Sequence, residues 1–468
     1  MIDPQSEAAA CLTRRELFRR SALGLGAIAT NALDLAGKTH HVPRARSVIW
    51  LHMAGSPSQL DTFDPKPALD RWNGKECPKE FLERERFAFI KGTPKLLASP
   101  HTFSPRGDSG AMVVDLLPHI GSVVDKLTIV RSMVTDQFNH APAQLFLQTG
   151  SARLGRPSTG AWISHGLGAL NRDLPTFVVM VSGGKVPSGG RSLWGSGFLP
   201  TVHQGVELRS SGEPVLFLAD PPEVTRRARR ASLDVIGELN AMAHAQHGDP
   251  ETLTRIAQYE LAYRMQMSVP GVCDLTRETA ATLDAYGAKP GVPSFANHCL
   301  MARRLVEAGV RFVQLYDWGW DGHGTATSDD LVTQFPKKCR ETDRPIAALI
   351  HDLDARGLLE ETIVVWSGEF GRTPMNEERN GSTFLGRDHH PHAFSLFVAG
   401  GGFRRGLVHG STDEFGYHVV EGRVHVHDLQ ATLLHQLGFD HERLTYRFQG
   451  RDYRLTDVHG RVVDALLS

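Results

Sequence analysis

The chain has 468 residues, enough for one large domain or two ordinary ones, and its composition is that of a globular protein. A formal net charge of -1 argues against a general nucleic-acid binder, and no apolar run reaches the roughly 20 residues that a helix needs to cross a bilayer. Five cysteines with no C-x-x-C pair leave neither a zinc knuckle nor a redox motif in view, and buried free thiols are expected.

Residues 1–40 read as a leader and linker. Arg14 and Arg15, then Arg19 and Arg20, precede a short, weakly apolar stretch at 22–32, which is the order of an export signal. The paired arginines point to the twin-arginine translocation machinery, hence to a protein exported already folded to the periplasm or cell envelope.

The main domain is expected over 41–468. A first strand at 48–51 ends in a turn-rich loop carrying Ser58, Asp61 and Asp64. A second strand, at 127–130, leads to His140 and Pro142 at the start of a helix that ends near Gly150. A third, at 176–181, is followed by a Gly/Ser/Pro-rich loop over 182–197, of the kind that shapes a pocket. Residues 222–290 read as a helical insertion that covers the sheet or helps two chains associate. Its first helix has an apolar face of Leu233, Ile236, Leu239 and Met242 and a solvated arginine cluster at 226–230; its second starts at Asp249 and Pro250, with an apolar face of Leu253, Ile256 and Tyr263.

A helix over 295–308 feeds a strand at 311–316, directly followed by Asp317, Asp321 and His323. Carboxylates and a histidine spaced by glycine at a strand end suit a divalent ion. The next helix is expected to be capped by Asp343, with Pro345 in its first turn, Ile346, Leu349, Ile350 and Leu353 on the sheet and Gly357 at its end. The buried strand 362–366 then stops at Glu369 and Arg372, and Arg387, Asp388, His389, His390 and His392 precede a last strand at 393–398. In open α/β sheets ligands bind at the carboxyl ends of strands, so these clusters are well placed for chemistry. His425, His427 and His435 are expected on the surface of a short final helix.

Strand 362–366, Ser367 to Gly371, a late histidine and three glycines at 400–402 together resemble the alkaline phosphatase/sulfatase superfamily. More narrowly, they resemble a sulfatase-related family of exported bacterial proteins carrying a domain of unknown function. The resemblance implies an α/β fold, a three-layer α/β/α sandwich with a mostly parallel sheet. It also implies a hydrolase of a phosphate or sulfate ester, acting on an anionic small molecule or polysaccharide with a divalent ion such as zinc, calcium or manganese.

Carried over residue by residue, it makes Asp61, Asp321, His323, Glu369, Asp388 and His389 the candidate metal ligands, with His390 and His392 as competitors for the late histidine. The superfamily's first aspartate follows the first strand at once, where this chain has Ala54 and Gly55. Pro142, Leu147, Thr149 and Gly150 match the sulfatase nucleophile loop, and its nucleophile position falls on His140, which attacks as an imidazole, binds metal or does no covalent chemistry. Phe370 stands where a second-metal histidine would be, so one ion is expected rather than two. Arg372 and Arg387 either grip a substrate oxyanion or pair with Glu369 or Asp388. The competing class is a non-catalytic metal-binding envelope protein that retains the fold.

Overall fold

The computed structural model describes residues 39–82, 87–210, 212–215, 220–221 and 223–468; the expected export signal lies outside them. The six strands expected from apolar runs all form: β1 (Ser47–Ala54), β2 (Leu127–Val134), β3 (Phe177–Ser182), β5 (Phe312–Trp318), β6 (Thr362–Ser367) and β7 (Phe394–Ala399). Three short ones join them: β4 (Val206–Glu207), β8 (Leu407–His409) and β9 (Val424–His425). The sheet order is β8-β2-β7-β6-β1-β5-β3-β4, with β9 also on β2.

β1 lies at the centre, parallel to β5 (Val48 opposite Phe312) and to β6 (Ser47 opposite Thr362). All eight of its residues are buried, as a strand covered on both faces requires. Successive side chains point to opposite faces. Ile49, Leu51 and Met53 enter one core with α5 (Phe295–Glu307) and α6 (Gln334–Ala355). Val48 and Trp50 enter the other with α1 (His140–Thr149), α2 (Thr159–Leu167) and α7 (Val426–Gln436). The fold is therefore a three-layer α/β/α sandwich.

β7 is the exception in direction, antiparallel to both β2 and β6. Its start thus lies at the sheet edge where β1, β5 and β6 end. Residues before β7 and residues after the other three strands meet there.

The stretch expected to be an insertion contains a pair of packed helices, α3 (Arg226–His247) and α4 (Pro250–Cys273). Its outer helix does not cover the sheet: only Leu233 is buried in α3, while Leu239 and Met242 are 60% and 69% exposed. Leu253 is 50% exposed, and Met265 and Val269 instead carry α4 into the core. The arginine cluster is not merely solvated. Arg226 and Arg230 lie over Tyr263 at 4.6 and 5.0 Å, and Arg230 pairs with Glu260, zipping α3 to α4.

Two helix readings are corrected. α6 begins at Gln334, so Pro345 lies in its interior, and the Asp343 carboxylate caps a different helix by accepting from the N–H groups of His119 and Ile120 at 2.9 and 2.7 Å. In α7, His425 is the N-cap and His427 is buried, its Nε2 3.0 Å from the Gly150 carbonyl. Cys77, Cys273, Cys299 and Cys339 are free thiols, and no described helix is long and apolar enough to cross a membrane.

Candidate metal centre

Four loops at the carboxyl edge of the sheet supply the site. α1 places His140 at its first turn, the loop after β5 carries Asp321 and His323, that after β6 carries Glu369 and Arg372, and the approach to β7 carries Asp388 and His389. Close approach of these loops depends on glycine. Gly55 has φ +101°, and a Cβ there would lie 2.6 Å from the Asp321 amide; a Cβ on Gly386 would overlap the backbone of His323.

His140, Asp321, His323 and His389 each offer a ligand atom, all within 4.8 Å of one another. Asp321 is the hub: its Oδ2 is 3.2 Å from His140 Nε2, and its Oδ1 is 2.9 Å from His323 Nε2 and 3.4 Å from His389 Nε2. The Nε2 atoms of His323 and His389 are 3.1 Å apart. Each opposite nitrogen is held. His140 Nδ1 is 2.7 Å from Glu369 Oε1, His389 Nδ1 is 2.7 Å from the Phe138 carbonyl, and His323 Nδ1 pairs with Glu377. Rings that ligate a metal through one nitrogen are fixed in this way through the other. Among the described residues His140 Nε2 meets only the Asp321 carboxylate, and the three imidazoles and one carboxylate fit a divalent ion.

Other expected residues have different positions. Glu369 stands behind His140, fully buried, and also receives Gly55 N–H at 3.1 Å, Gln144 Nε2 at 3.0 Å and His52 Nε2 at 3.2 Å. It orients a ligand rather than joining the converging atoms. Asp61 does not reach the cluster, because Arg387 Nε donates to it at 2.8 Å and both are fully buried. Arg387 further donates to the Leu97 and Thr373 carbonyls, so it is not free for a substrate. Arg372 donates to Asp321 Oδ1 at 2.6 Å and to the carbonyls of Gly55, Ser56 and Arg387, which makes it a brace for Asp321. Asp388 groups with His323 and Glu377, but its carboxylate already accepts from the N–H groups of Phe89, Ile90 and His389. His390 is spent on the Tyr417 carbonyl.

Sequence reasoning passed over Glu377, His52 and Gln144. His52 reads as strand core, Gln144 as a helix residue, and Glu377 stands in a loop without pattern; only the fold joins them to the site. Aromatic rings close the rim: Phe370 is 5.1 Å from His140 and 4.5 Å from His389, and Phe89 meets His323 edge-on at 5.0 Å.

Electrostatics follow from this packing. Burial alone would lower His140, but the carboxylates of Asp321 and Glu369 outweigh it and push it up to about 9. Burial drives His389 down to about 4, Asp321 opposing and Arg372 adding. Asp321 and Glu369 both lie well below the usual carboxylate range despite burial, Asp321 through Arg372 and the three histidines, Glu369 through His140 and His52.

A three-layer α/β sandwich with histidines and a carboxylate gathered at the carboxyl edge of its sheet defines the class. The chain belongs to the family described as protein of unknown function, DUF1501, which matches residues 45–467. No curated protein matches it by sequence. Similar solved structures include the PsFucS1 sulfatase from Pseudoalteromonas sp. (12% identity, 88% of this chain and 71% of that chain, TM-score 0.37). Others are the phosphonate monoester hydrolase SpPMH from Silicibacter pomeroyi (13%, 69% and 68%, 0.31) and the alkaline phosphatase from the Antarctic bacterium TAB5 (9%, 76% and 92%, 0.28). At such scores the likeness carries nothing about activity.

Proposed function

We propose that the protein is an exported, metal-dependent hydrolase of a phosphate or sulfate ester. The observation that supports this most is the convergence of His140, Asp321, His323 and His389, with each imidazole held through its other nitrogen. These four would hold one divalent ion, and three nitrogens with one oxygen favour zinc or manganese over calcium, which prefers oxygen alone. An ion bound there supplies Lewis-acid polarisation of an ester oxygen.

The chain's own residues do the rest. Glu369 and Glu377 fix the rings of His140 and His323, Arg372 holds Asp321 in place, and Phe370 and Phe89 limit water at the rim. His140, engaged at Nδ1 and facing Asp321 with Nε2, serves as ligand rather than nucleophile. The substrate is an anionic small molecule or polysaccharide ester met in the periplasm or envelope.

One observation favours the alternative of a metal-holding binding protein: both arginines of the site are spent on internal partners. The test is elemental analysis of the purified full chain together with turnover of p-nitrophenyl phosphate and p-nitrophenyl sulfate. One ion per chain, lost in His323→Ala and His389→Ala along with roughly a thousandfold of kcat/KM, is the expected result. Turnover unaffected in both variants refutes the centre; a bound ion with no turnover of any ester leaves the binding protein.

A further inference from the structure

The apolar stripe of α3 is turned away from the rest of the molecule. At 3.6 residues per turn, Ala228, Ala231, Val235, Leu239 and Met242 fall within an arc of about 80°, whereas Leu233, the one residue α3 buries, lies about 160° from Val235. The side that meets α4 carries Leu233, Arg226 and Arg230 instead. Val235, Leu239 and Met242 are 56%, 60% and 69% exposed, and both alanines are exposed as well. Single apolar residues on a surface are ordinary, but a stripe of them along about four turns of a helix is an unpaired packing face.

The order of side chains along the stripe points to its partner. The spacings 3, 4, 4 and 3 read the same in both directions about Val235. A second α3 laid antiparallel on the first, with a two-fold axis at Val235, sets Ala231 of each copy against Leu239 of the other and Ala228 against Met242. Every large side chain then meets a small one, which lets knobs fill holes along the whole contact. A parallel pair in register would instead set Leu239 on Leu239 and Ala231 on Ala231, crowding one end and leaving gaps at the other. Charge agrees with the antiparallel order. Arg227, exposed and in no ion pair among the described residues, comes level with the last turn of the opposite helix, where the carbonyl end of the helix dipole attracts a cation.

We infer that α3 is the interface of a homodimer, with a second copy of this chain covering the stripe antiparallel about a two-fold axis at Val235. The stripe is on the outer side of the packed helices, so the bodies of the two copies lie on opposite sides of the paired α3 helices. The interface shares no residue with the metal centre and stands apart from any turnover there.

Sedimentation equilibrium of the full chain over about 1–100 µM tests the inference. The wild type is expected to dimerise in that range. Leu239→Glu, a change at an exposed residue of the monomer, should weaken the dimer at least about a hundredfold. Ala231→Leu separates this pairing from other uses of the face. It enlarges the apolar stripe, so non-specific sticking or adhesion to a lipid surface would grow stronger, whereas in the antiparallel dimer the added bulk meets Leu239 and should weaken association about tenfold or more. Combining Ala231→Leu with Leu239→Ala exchanges large and small and should bring the dimer back to within about threefold of the wild type. A wild type that stays monomeric throughout, a dimer indifferent to Leu239→Glu or tightened by Ala231→Leu, or no recovery in the double variant overturns the assignment. So does monomeric protein that pellets with phosphatidylglycerol vesicles and loses this binding in Leu239→Glu, since the face then belongs to a membrane surface.

Discussion

An imidazole that gives one nitrogen to a metal is useful only if its ring is kept from turning, and the other nitrogen is the handle. Glu377 provides that handle for His323, with Arg379 Nη2 3.0 Å from the same Nδ1. Glu377→Ala should therefore lower metal affinity by about 10–100-fold, and Glu377→Gln, which keeps an acceptor, should restore part of it. Competition against a chromophoric chelator measures both; equal affinities in wild type and Glu377→Ala would mean the contact is incidental. Asp321, His323 and His389 were legible because polar residues crowd a strand end in the sequence, whereas Glu377 carries no local mark.

Among the elements, the loop after β1 and the loop before β7 are riveted by Asp61 and Arg387. Removing one partner of a fully buried pair strands the other charge, so Asp61→Asn should cost roughly 3–5 kcal/mol in chemical denaturation. Metal affinity should change little, because Asp61 is not among the converging groups; loss of the ion with unchanged stability would reverse that assignment. The acid side has a definite sign. Arg387 holds Asp61 below its ordinary pKa despite burial, so the pair's stabilisation is fully present above that ordinary value and fades as pH falls through the depressed one. A carboxylate's partner can be remote in sequence, and the same holds for Asp343, whose position before a helical pattern suggested a cap while its hydrogen bonds go to His119 and Ile120. Strands were easier to place because their burial is written locally, in β-branched and aromatic runs such as 362–366.

For the whole molecule, the six main strands and the layered architecture could be read from alternating apolar runs and helical periods. The exposed face of α3 could not, since periodicity marks an apolar stripe without saying what covers it. Export belongs to this scale as well, and we propose that Arg14 and Arg15 direct it. The double variant Arg14→Lys, Arg15→Lys of the full chain should remain in the cytoplasmic fraction; its arrival in the periplasm at the wild-type level would rule out the twin-arginine route.

The reversed strand β7 brings a further consequence. Because it runs against its neighbours, β7 starts where they end, and His389 is thereby brought to groups from segments as remote as His140 once the sheet has paired. A fragment that lacks either the segment of His140 or that of His389 cannot complete the centre, and contacts between such distant segments are slow to form. Occupancy of the centre is thus an all-or-nothing report on the finished sheet, a checkpoint that a half-made molecule fails.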